Sequence, residues 1–339
     1  MKNKKTRVAI NGFGRIGRIF FRHAFGHPDI DIIAINDLGV LENMAYLLKY
    51  DTVYGPYDKS IEIKNDTLIV EGKKIKMIQE KDPSLLPWKN MGIDVVVEST
   101  GAFESYEAAA PHLAAGAKRV VITAPAKDEI TPTATPNVGE EFLKNNKITS
   151  NASCTTNAAT PVMAVMSKNP GIKKAILNTI HAYTSSQGIV DGPDKKGDFR
   201  RARAAGQNIV PSTTGAALAA TKALPSLAGK FDGISLRVPV ICGSIMDFTF
   251  IAGRPTSTEE VNSIFKKAAV EKQWQGILAV TEEPLASSDI IKNPHGSIVD
   301  LLMTRVIDGD LVKVLAWYDN EWGYASMLLK HVLAVSKLL

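Results

Sequence analysis

The chain has 339 residues, of which 45% are hydrophobic and 22% charged, and its formal net charge is +5 at pH 7. This composition is typical of a folded globular protein of about two domains, and it argues against an intrinsically disordered chain. No stretch approaches the roughly 18 apolar residues that span a bilayer, and no basic block is interleaved with aromatic residues, so we expect neither a membrane protein nor nucleic-acid binding as the primary function.

The first half of the chain alternates strand-like and helix-like segments. Apolar, β-branched runs predict strands at residues 6–11, 31–36, 94–98 and 119–123. Amphipathic or alanine-rich stretches predict helices at residues 15–26, 43–49 and 106–115. Three short runs are typical of inserted antiparallel strands, at residues 61–64, 67–70 and 74–78. The alternation of strand and helix predicts a doubly wound α/β domain built on a parallel sheet.

After about residue 150 the pattern changes. Long strands are predicted at residues 176–183, 234–240, 245–251 and 311–318, and helices at residues 215–224 and 259–269. Met246, Phe248 and Phe250 alternate with polar residues, as expected for a sheet with one buried face, and this favours an α+β domain. Residues 191–207 have no apolar period and predict a long loop, whereas the C-terminal segment has apolar residues at helical spacing.

A glycine-rich motif, GFGRIG at residues 12–17, joins the first predicted strand to the first predicted helix. Gly12 permits a tight turn, Gly14 lets the backbone approach a pyrophosphate, and Gly17 lets the helix pack closely on the strand. Asp37 closes the second strand about 20 residues later, where a carboxylate binds ribose hydroxyls and repels a 2′-phosphate. The motif therefore predicts an NAD site, against the alternative of a glycine-rich turn with a surface aspartate.

The chain has two cysteines, Cys154 and Cys242, and six histidines, and their spacing shows no metal-ligand motif. Free thiols in a reducing, cytoplasmic setting are the simplest reading, and the short basic start does not resemble a signal peptide. We therefore expect a cytoplasmic protein without a bound metal.

Cys154 lies in a small, polar stretch that runs into a predicted helix, which places it near a helix N-terminus. There the helix dipole favours a thiolate, and backbone N–H groups are available to an oxyanion. His181 ends a predicted strand, and a histidine beside a thiol serves as its acid or base. The alternatives are a small buried cysteine and a structural histidine, because the sequence alone does not place the two side chains together.

Several motifs, taken together, resemble those of the glyceraldehyde-3-phosphate dehydrogenase family, and the resemblance covers essentially the whole chain. The motifs are NGFGRIGR (11–18), KYDT (49–52), STG (99–101), ASCTTN (152–157), HAYT (181–184), RVP (237–239) and WYDNEWGY (317–324). The SCTTN pentapeptide is specific to this family and its erythrose-4-phosphate relatives. The resemblance implies a Rossmann-type doubly wound dinucleotide-binding domain at residues 1–153 and 320–339, and an α+β catalytic domain with a mixed or antiparallel sheet at residues 154–319.

The resemblance also implies a reaction: the oxidation of glyceraldehyde 3-phosphate with NAD and inorganic phosphate to 1,3-bisphosphoglycerate. Cys154 is then the nucleophile that carries a thioester, and His181 is its acid-base partner. The residues that match cofactor-contacting positions are Gly12, Phe13, Gly14, Arg15, Ile16, Asp37, Thr100, Thr123, Asn320 and Tyr324. Those that match the substrate phosphate site are Thr184 and Arg237, and those that match the attacking phosphate site are Ser153, Thr155, Arg203, Thr214 and Gly215.

The long loop at residues 191–207 matches a family loop that reaches the cofactor of a neighbouring subunit, so the resemblance implies a homotetramer. The chain departs from the family pattern at Ala158, where many members have a second cysteine, and at the Ser185-Ser186 pair beside the substrate phosphate site. It also departs at residues 131–137, where two prolines replace part of an apolar strand and weaken its predicted pairing.

Two alternative functions stay open at this point. An erythrose-4-phosphate dehydrogenase would share the SCTTN motif, but the Ala-Tyr-Thr sequence after His181 and the aspartate at residue 37 favour the triose. A catalytically silent NAD-binding scaffold would be favoured by the loss of Cys154 or His181, and both residues are present.

Overall fold

The structure, a computed structural model, describes residues 5–193 and 197–339. It contains two compact units. The first comprises the chain up to Ala134, Gly139–Ala152 and Leu328–Leu339, and the second comprises Thr135–Val138 and Ser153–Met327. No helix within the described ranges is both long enough and apolar enough to cross a membrane.

The first unit is built on an eight-stranded sheet in the order β3-β4-β5-β2-β1-β6-β7-β8. Its strands are β1 Thr6–Asn11, β2 Ile30–Asn36, β3 Ile61–Lys64, β4 Thr67–Val70, β5 Lys73–Ile78, β6 Val95–Glu98, β7 Arg119–Ile122 and β8 Ile148–Ser150. Its helices are α1 Arg15–Ala24, α2 Leu41–Lys49, α3 Trp88–Met91 and α4 Tyr106–Ala114. All neighbouring strands are parallel except in the β3-β4-β5 insertion, which is antiparallel.

The central strands of this sheet are buried on both faces, as their continuous apolar sequences require. Every residue of β6 and β7 is buried, and two hydrophobic clusters cover the sheet. One cluster includes Phe20 and Phe21 of α1, and the other includes Trp88. Because parallel strands all end at the same edge, the loops after β1, β2 and β6 meet at the carboxyl end of the sheet, which is where ligands bind in doubly wound folds.

The second unit is built on a seven-stranded mixed sheet in the order β10-β11-β9-β12-β15-β14-β13. Its strands are β9 Ile172–Ala182, β10 Val210–Thr213, β11 Phe231–Val238, β12 Ser244–Ala252, β13 Leu278–Thr281, β14 Ser297–Ile307 and β15 Leu311–Tyr318. Its helices are α5 Cys154–Lys168, α6 Ala216–Ala223 and α7 Thr258–Val270. The last helix, α8 Trp322–Ser336, contributes residues to both units, since the boundary between them falls at Leu328.

The predicted fold class is confirmed: a doubly wound α/β unit with a parallel core precedes an α+β unit with a mixed sheet. The predicted strands and helices are all present with ends shifted by a few residues, but the strands β8, β10, β13 and β14 and the short helix α3 were not predicted. In residues 131–137, only Thr133 and Thr135 make isolated bridges, in agreement with the weak pairing predicted there. The described part of residues 191–207 contains no helix or strand, as predicted for a loop.

His331, in α8, is fully buried in the first unit and makes the fold sensitive to acid. Its Nδ1 atom lies 3.1 Å from the Ala134 carbonyl oxygen and its Nε2 atom 2.9 Å from the Thr149 hydroxyl, so the neutral ring has a partner at each nitrogen. Burial lowers the pKa of His331 from 6.5 to about 4, although the Ala134 carbonyl opposes this.

We therefore expect the free energy of unfolding to decrease as the pH falls from about 6.5 to about 4. In this range His331 binds a proton in the unfolded chain but stays neutral in the folded chain. The loss from this residue is about 3 kcal/mol at pH 4, from the cost of about 1.4 kcal/mol per pKa unit. Urea unfolding at pH 7 and pH 4 measures it. The His331→Gln variant should show a smaller difference between the two pH values, and an unchanged difference would contradict the assignment.

Candidate active site

The loop between β1 and α1 forms a cradle that requires glycine at residues 12 and 17 and is open at Gly14. Gly12 has a φ of +92°, and a Cβ there would lie 2.6 Å from the Thr100 backbone nitrogen. A Cβ at Gly17 would lie 2.1 Å from the Gly12 carbonyl oxygen, so the helix packs on the loop only without a side chain. A Cβ at Gly14 would meet no atom within 4 Å, and this open space lies at the N-cap of α1, where N–H groups favour phosphate.

A cleft of about 600 Å³ opens above this loop at the carboxyl end of the sheet. Among its lining residues are Gly12, Gly14, Asp37 and Thr100, all four predicted from the sequence. The Asp37 carboxylate accepts hydrogen bonds from the Phe13 N–H, at 2.6 Å, and from the Gly39 N–H, at 2.9 Å, which fixes it at the cleft. A glycine cradle, a helix N-terminus and a carboxylate are the features that a dinucleotide requires, so these residues fit NAD.

The other predicted cofactor residues of this unit lie around the cleft without lining it. Phe13 is buried, and Ile16 packs against the apolar core. The Arg15 guanidinium donates to the Asp51 carboxylate at 2.5 Å. The Thr123 N–H donates to the Glu98 carbonyl oxygen, which ties the end of β7 to β6. That these four residues contact a cofactor stays a prediction.

In the second unit, the structure brings the two predicted catalytic side chains together. Cys154 is the first residue of α5, whose N-cap is Ser153, and His181 lies near the end of β9. The Cys154 Sγ lies 3.3 Å from the His181 Nε2, although 27 residues separate them in the chain. The His181 Nδ1 faces both an acceptor, the Ala182 carbonyl oxygen at 2.6 Å, and a donor, the Arg237 Nη1 at 2.7 Å, and the two contacts orient the ring. In the tautomer whose proton lies on Nδ1, Nε2 is the proton acceptor that faces the thiol.

The electrostatics of this pair combine burial with one nearby cation. Burial and, as a smaller cause, the positive charge of Arg237 together lower the pKa of His181 to about 3. Burial raises the pKa of the Cys154 thiol, against the charge of Arg237 and hydrogen bonds from Thr155 and from the Cys154 N–H. The helix N-terminus therefore acts in the predicted direction, but burial outweighs it, and the pair holds a thiol beside a neutral imidazole.

Arg237 lies next to the catalytic pair because β11 runs parallel to β9 with Arg237 opposite His181. Its Nη1 atom lies 2.7 Å from the His181 Nδ1 and donates to the Ala182 carbonyl oxygen at 3.1 Å. A guanidinium in this position offers its remaining N–H groups to an anion beside the reacting sulfur. The sequence-based assignment of Arg237 to a phosphate site is compatible with this placement.

The remaining predicted phosphate residues have the following positions. The Ser153 hydroxyl accepts from the Thr156 N–H and caps α5, and the Thr155 hydroxyl is buried against the Tyr318 hydroxyl at 2.9 Å. The Thr184 hydroxyl lies 2.9 Å from that of Ser186. Thr214 and Gly215 precede α6, of which Gly215 is the N-cap. Arg203 is exposed and pairs with Asp191 at 2.9 Å within the long loop.

Asn320 and Tyr324, predicted to contact the cofactor, lie in the second unit. The Asn320 Oδ1 accepts from the Gly243 N–H at 3.1 Å and from the Ser244 hydroxyl at 3.0 Å, which directs its amide group. Tyr324 is buried, and burial together with the nearby Cys154 raises its pKa. Both side chains therefore belong to the neighbourhood of the catalytic pair.

Two residues of this neighbourhood were not assigned a role from the sequence. The Tyr318 hydroxyl joins the Thr155 and Thr179 hydroxyls, at 2.9 and 2.6 Å, and its ring packs edge-on against the His181 ring. Arg201 lies close enough to Arg237 for their charges to repel, in addition to the burial that lowers the pKa of Arg237. The WYDNEWGY motif contains the tyrosine, and the Arg200-Arg201 pair in the long loop was the available signal for the arginine.

Comparison with known proteins gives one consistent answer. A model of the glyceraldehyde 3-phosphate dehydrogenase NAD binding domain matches residues 6–106, and a model of the C-terminal domain of the same family matches residues 153–320. "Glyceraldehyde-3-phosphate dehydrogenase 2" of Streptomyces avermitilis is 49% identical over 95% of this chain and 96% of its own length. The protein of the same name from Bacillus subtilis is 46% identical over 98% of both chains, and "Glyceraldehyde-3-phosphate dehydrogenase" of Geobacillus stearothermophilus is 47% identical over 94% of this chain and 95% of its own. The chain therefore belongs to the glyceraldehyde 3-phosphate dehydrogenase family.

Proposed function

We propose that this protein oxidises glyceraldehyde 3-phosphate with NAD and inorganic phosphate to 1,3-bisphosphoglycerate through a thioester on Cys154. The observation that carries the proposal is the contact of the Cys154 Sγ with the His181 Nε2 at 3.3 Å, beside the Arg237 guanidinium. The contact supplies a nucleophile and a base, and the arginine supplies a site for a phosphate-bearing substrate. Membership of the family and the cleft that fits NAD support the same reaction.

The first step is the addition of the Cys154 sulfur to the aldehyde carbon. The thiol proton is accepted by the His181 Nε2, and the Arg237 charge and the Thr155 hydrogen bonds stabilise the thiolate that forms. The aldehyde oxygen then takes this proton from Nε2, so the product is a hemithioacetal and the imidazole is neutral again for the next step. We assign the N–H groups at the start of α5 to the hemithioacetal oxygen. These groups and the imidazole are placed to stabilise the developing negative charge on that oxygen.

The hemithioacetal then loses a hydride from carbon and a proton from oxygen to become a thioester. His181 accepts the proton at Nε2, while the contacts of its Nδ1 with the Ala182 carbonyl oxygen and the Arg237 Nη1 keep the ring oriented. NAD, when bound, supplies the acceptor of the hydride. We assign Gly12, Gly14, Asp37 and Thr100 to its adenosine and pyrophosphate parts, and Asn320 and Tyr324 to its nicotinamide part.

Phosphate attack on the thioester carbon completes the reaction and releases the Cys154 sulfur. An oxygen of inorganic phosphate forms the new bond to carbon, and the carbon–sulfur bond breaks, so the product is an acyl phosphate. We assign Thr184 and Arg237 to the substrate phosphate, and the residues Ser153, Thr155, Arg203, Thr214 and Gly215 to the attacking phosphate. For Thr155 we assign the backbone N–H to this contact, since its hydroxyl lies 2.9 Å from the Tyr318 hydroxyl.

We further propose that residues 1–153 and 320–339 form the functional NAD domain and residues 154–319 the catalytic domain. The exposed apolar side chains of Phe199 in the long loop and of Ile189 just before it support an assembly in which this loop meets another subunit, as in a homotetramer. A cytoplasmic location agrees with two free cysteines, which need a reducing compartment.

The proposed reaction is tested by steady-state formation of NADH from glyceraldehyde 3-phosphate with and without inorganic phosphate. Sustained turnover that requires phosphate and prefers NAD to NADP is expected. Turnover with erythrose 4-phosphate and none with the triose would transfer the assignment to the neighbouring branch of the family. NAD binding without turnover of either aldehyde would indicate a catalytically silent scaffold.

The Asp37→Ala variant should bind NAD less tightly and discriminate less against NADP. The carboxylate fixes the Phe13 and Gly39 N–H groups and faces the cleft, so its removal loosens the loop and removes the charge that repels a 2′-phosphate. We expect the dissociation constant for NAD to rise about tenfold or more, as for the loss of hydrogen bonds to a charged group. Titration with NAD and NADP measures both effects, and an unchanged ratio of the two constants would show that Asp37 does not contact the ribose.

A further inference from the structure

A buried polar network lies beneath the dinucleotide cleft and has no part in the reaction described above. Its members are Asn11 at the end of β1, Glu98 at the end of β6, His112 in α4 and Trp88 in α3, and none of them is more than 2% exposed. A buried carboxylate is costly unless all its acceptor positions are used, so the partners of Glu98 indicate what the network holds in place.

Four donors converge on the Glu98 carboxylate. Its Oε2 accepts from the Asn11 Nδ2, at 2.5 Å, and lies 3.0 Å from the His112 Nε2. Its Oε1 accepts from the Thr100 N–H, at 2.9 Å, and from the Thr100 hydroxyl. The carboxylate therefore connects the imidazole on one side with the backbone and side chain of Thr100 on the other.

The hydrogen bond from Trp88 determines which nitrogen of His112 carries the proton. The indole Nε1 lies 3.0 Å from the His112 Nδ1, and an indole N–H only donates, so Nδ1 must be the acceptor. The proton of the imidazole then lies on Nε2, where it is directed at Glu98. Trp88 thus acts through His112 to keep a donor on the carboxylate.

His112 also supports a second part of the cleft through its ring. The Phe103 ring packs edge-on against the imidazole, with centroids 6.1 Å apart, and Phe103 and Thr100 both line the cleft. The Gly12 turn lies directly against the Thr100 backbone, since a Cβ at Gly12 would come within 2.6 Å of the Thr100 nitrogen. His112 therefore supports two cleft-lining residues, Thr100 through Glu98 and Phe103 through its ring, and Thr100 in turn packs against the glycine turn.

We infer that His112 is a positioning residue for NAD: through Glu98 it fixes Thr100 and the glycine turn, and through its ring it fixes Phe103. The inference rests on the proposed function only in taking NAD as the ligand of this cleft. It places control of cofactor affinity in a residue that does not touch the cofactor and that lies in a different structural unit from Cys154 and His181.

The test is titration calorimetry of the full-length protein with NAD, for the wild type and for three variants. His112→Leu removes both the donor to Glu98 and the polar ring, and we expect the dissociation constant for NAD to rise about tenfold or more. His112→Gln retains a donor for Glu98 and an acceptor for Trp88, and should recover most of the affinity. Trp88→Phe removes the indole donor together with part of a buried ring, so the imidazole proton is free to move to Nδ1, and a rise of about threefold to tenfold is expected.

A matched control separates positioning from general loss of stability. Leu143→Ala removes a buried apolar side chain of the same unit that belongs to a different hydrophobic cluster from Trp88. It should lower the melting temperature but leave NAD affinity within about twofold. In steady-state assays at saturating NAD, folded His112 and Trp88 variants should keep kcat and the KM for the aldehyde within about twofold of wild type.

NAD affinity within about twofold of wild type in both His112→Leu and Trp88→Phe would overturn the inference, as would an equal loss of affinity in Leu143→Ala. If His112→Leu does not fold, Trp88→Phe alone decides. Failure of the proposed reaction is distinguishable, because a wild-type protein that binds NAD but does not oxidise the triose still permits every binding measurement.

Discussion

The Cys154→Ser variant should lose at least about a thousandfold of its dehydrogenase activity while it still binds NAD. A serine hydroxyl is a far weaker nucleophile than a thiol and would form an ester in place of the thioester, and esters react more slowly with phosphate. The substitution leaves the dinucleotide cleft unchanged, because that cleft is lined by residues of the first unit. Initial rates of NADH formation and NAD titration measure the two effects separately.

The second cysteine provides the control for this substitution. Cys242 is buried, and its Sγ donates to the Asp319 carboxylate at 3.3 Å, a role that a serine hydroxyl can take over. Cys242→Ser should therefore keep kcat within about threefold of the wild type. Substantial dehydrogenase activity in Cys154→Ser, or a loss in Cys242→Ser as large as that in Cys154→Ser, would refute the assignment of the thioester to Cys154.

Local patterns in the sequence were sufficient to predict the architecture of both units. The β1-loop-α1 segment could be predicted because strand, glycines and helix follow one another in the chain, and the structure confirms a steric reason for Gly12 and Gly17. Elements whose patterns are interrupted were missed. In β14 the register shifts between Asp300 and Arg305, which breaks the alternation of apolar and polar residues, and β10 is a short edge strand that contains Pro211.

The site was predictable as a set of residues but not as a geometry. The sequence predicted Cys154 as a nucleophile and His181 as its acid-base partner. Their contact, however, depends on how α5 and β9 pack. Arg237 belongs to the RVP motif, but its place opposite His181 depends on the parallel register of β11 and β9. Tyr318 is one of eight tyrosines, and its link to Thr155 crosses 163 positions of the chain, so only the fold could identify it.

The His181→Gln variant should lose about 10²–10⁴-fold in kcat, the range expected for the removal of a general base. Glutamine is close to histidine in size but cannot accept and return a proton, so the Cys154 thiol and the hemithioacetal hydroxyl both lose the acceptor that lies 3.3 Å from the sulfur. The residual rate should exceed that of Cys154→Ser, because the nucleophile, the N–H groups of α5 and Arg237 are all retained.

A second buried histidine shows whether this loss comes from chemistry or from folding. His331→Gln replaces a histidine that is equally enclosed, in a different unit from Cys154, and should leave kcat within about twofold of the wild type at neutral pH. Burial and Arg237 lower the pKa of His181 to about 3, so the imidazole is already neutral throughout the pH range of the assay. The defect of His181→Gln should therefore persist from pH 6 to pH 8. A defect that disappears within this range would assign to His181 an orienting role, with the proton passing to another acceptor.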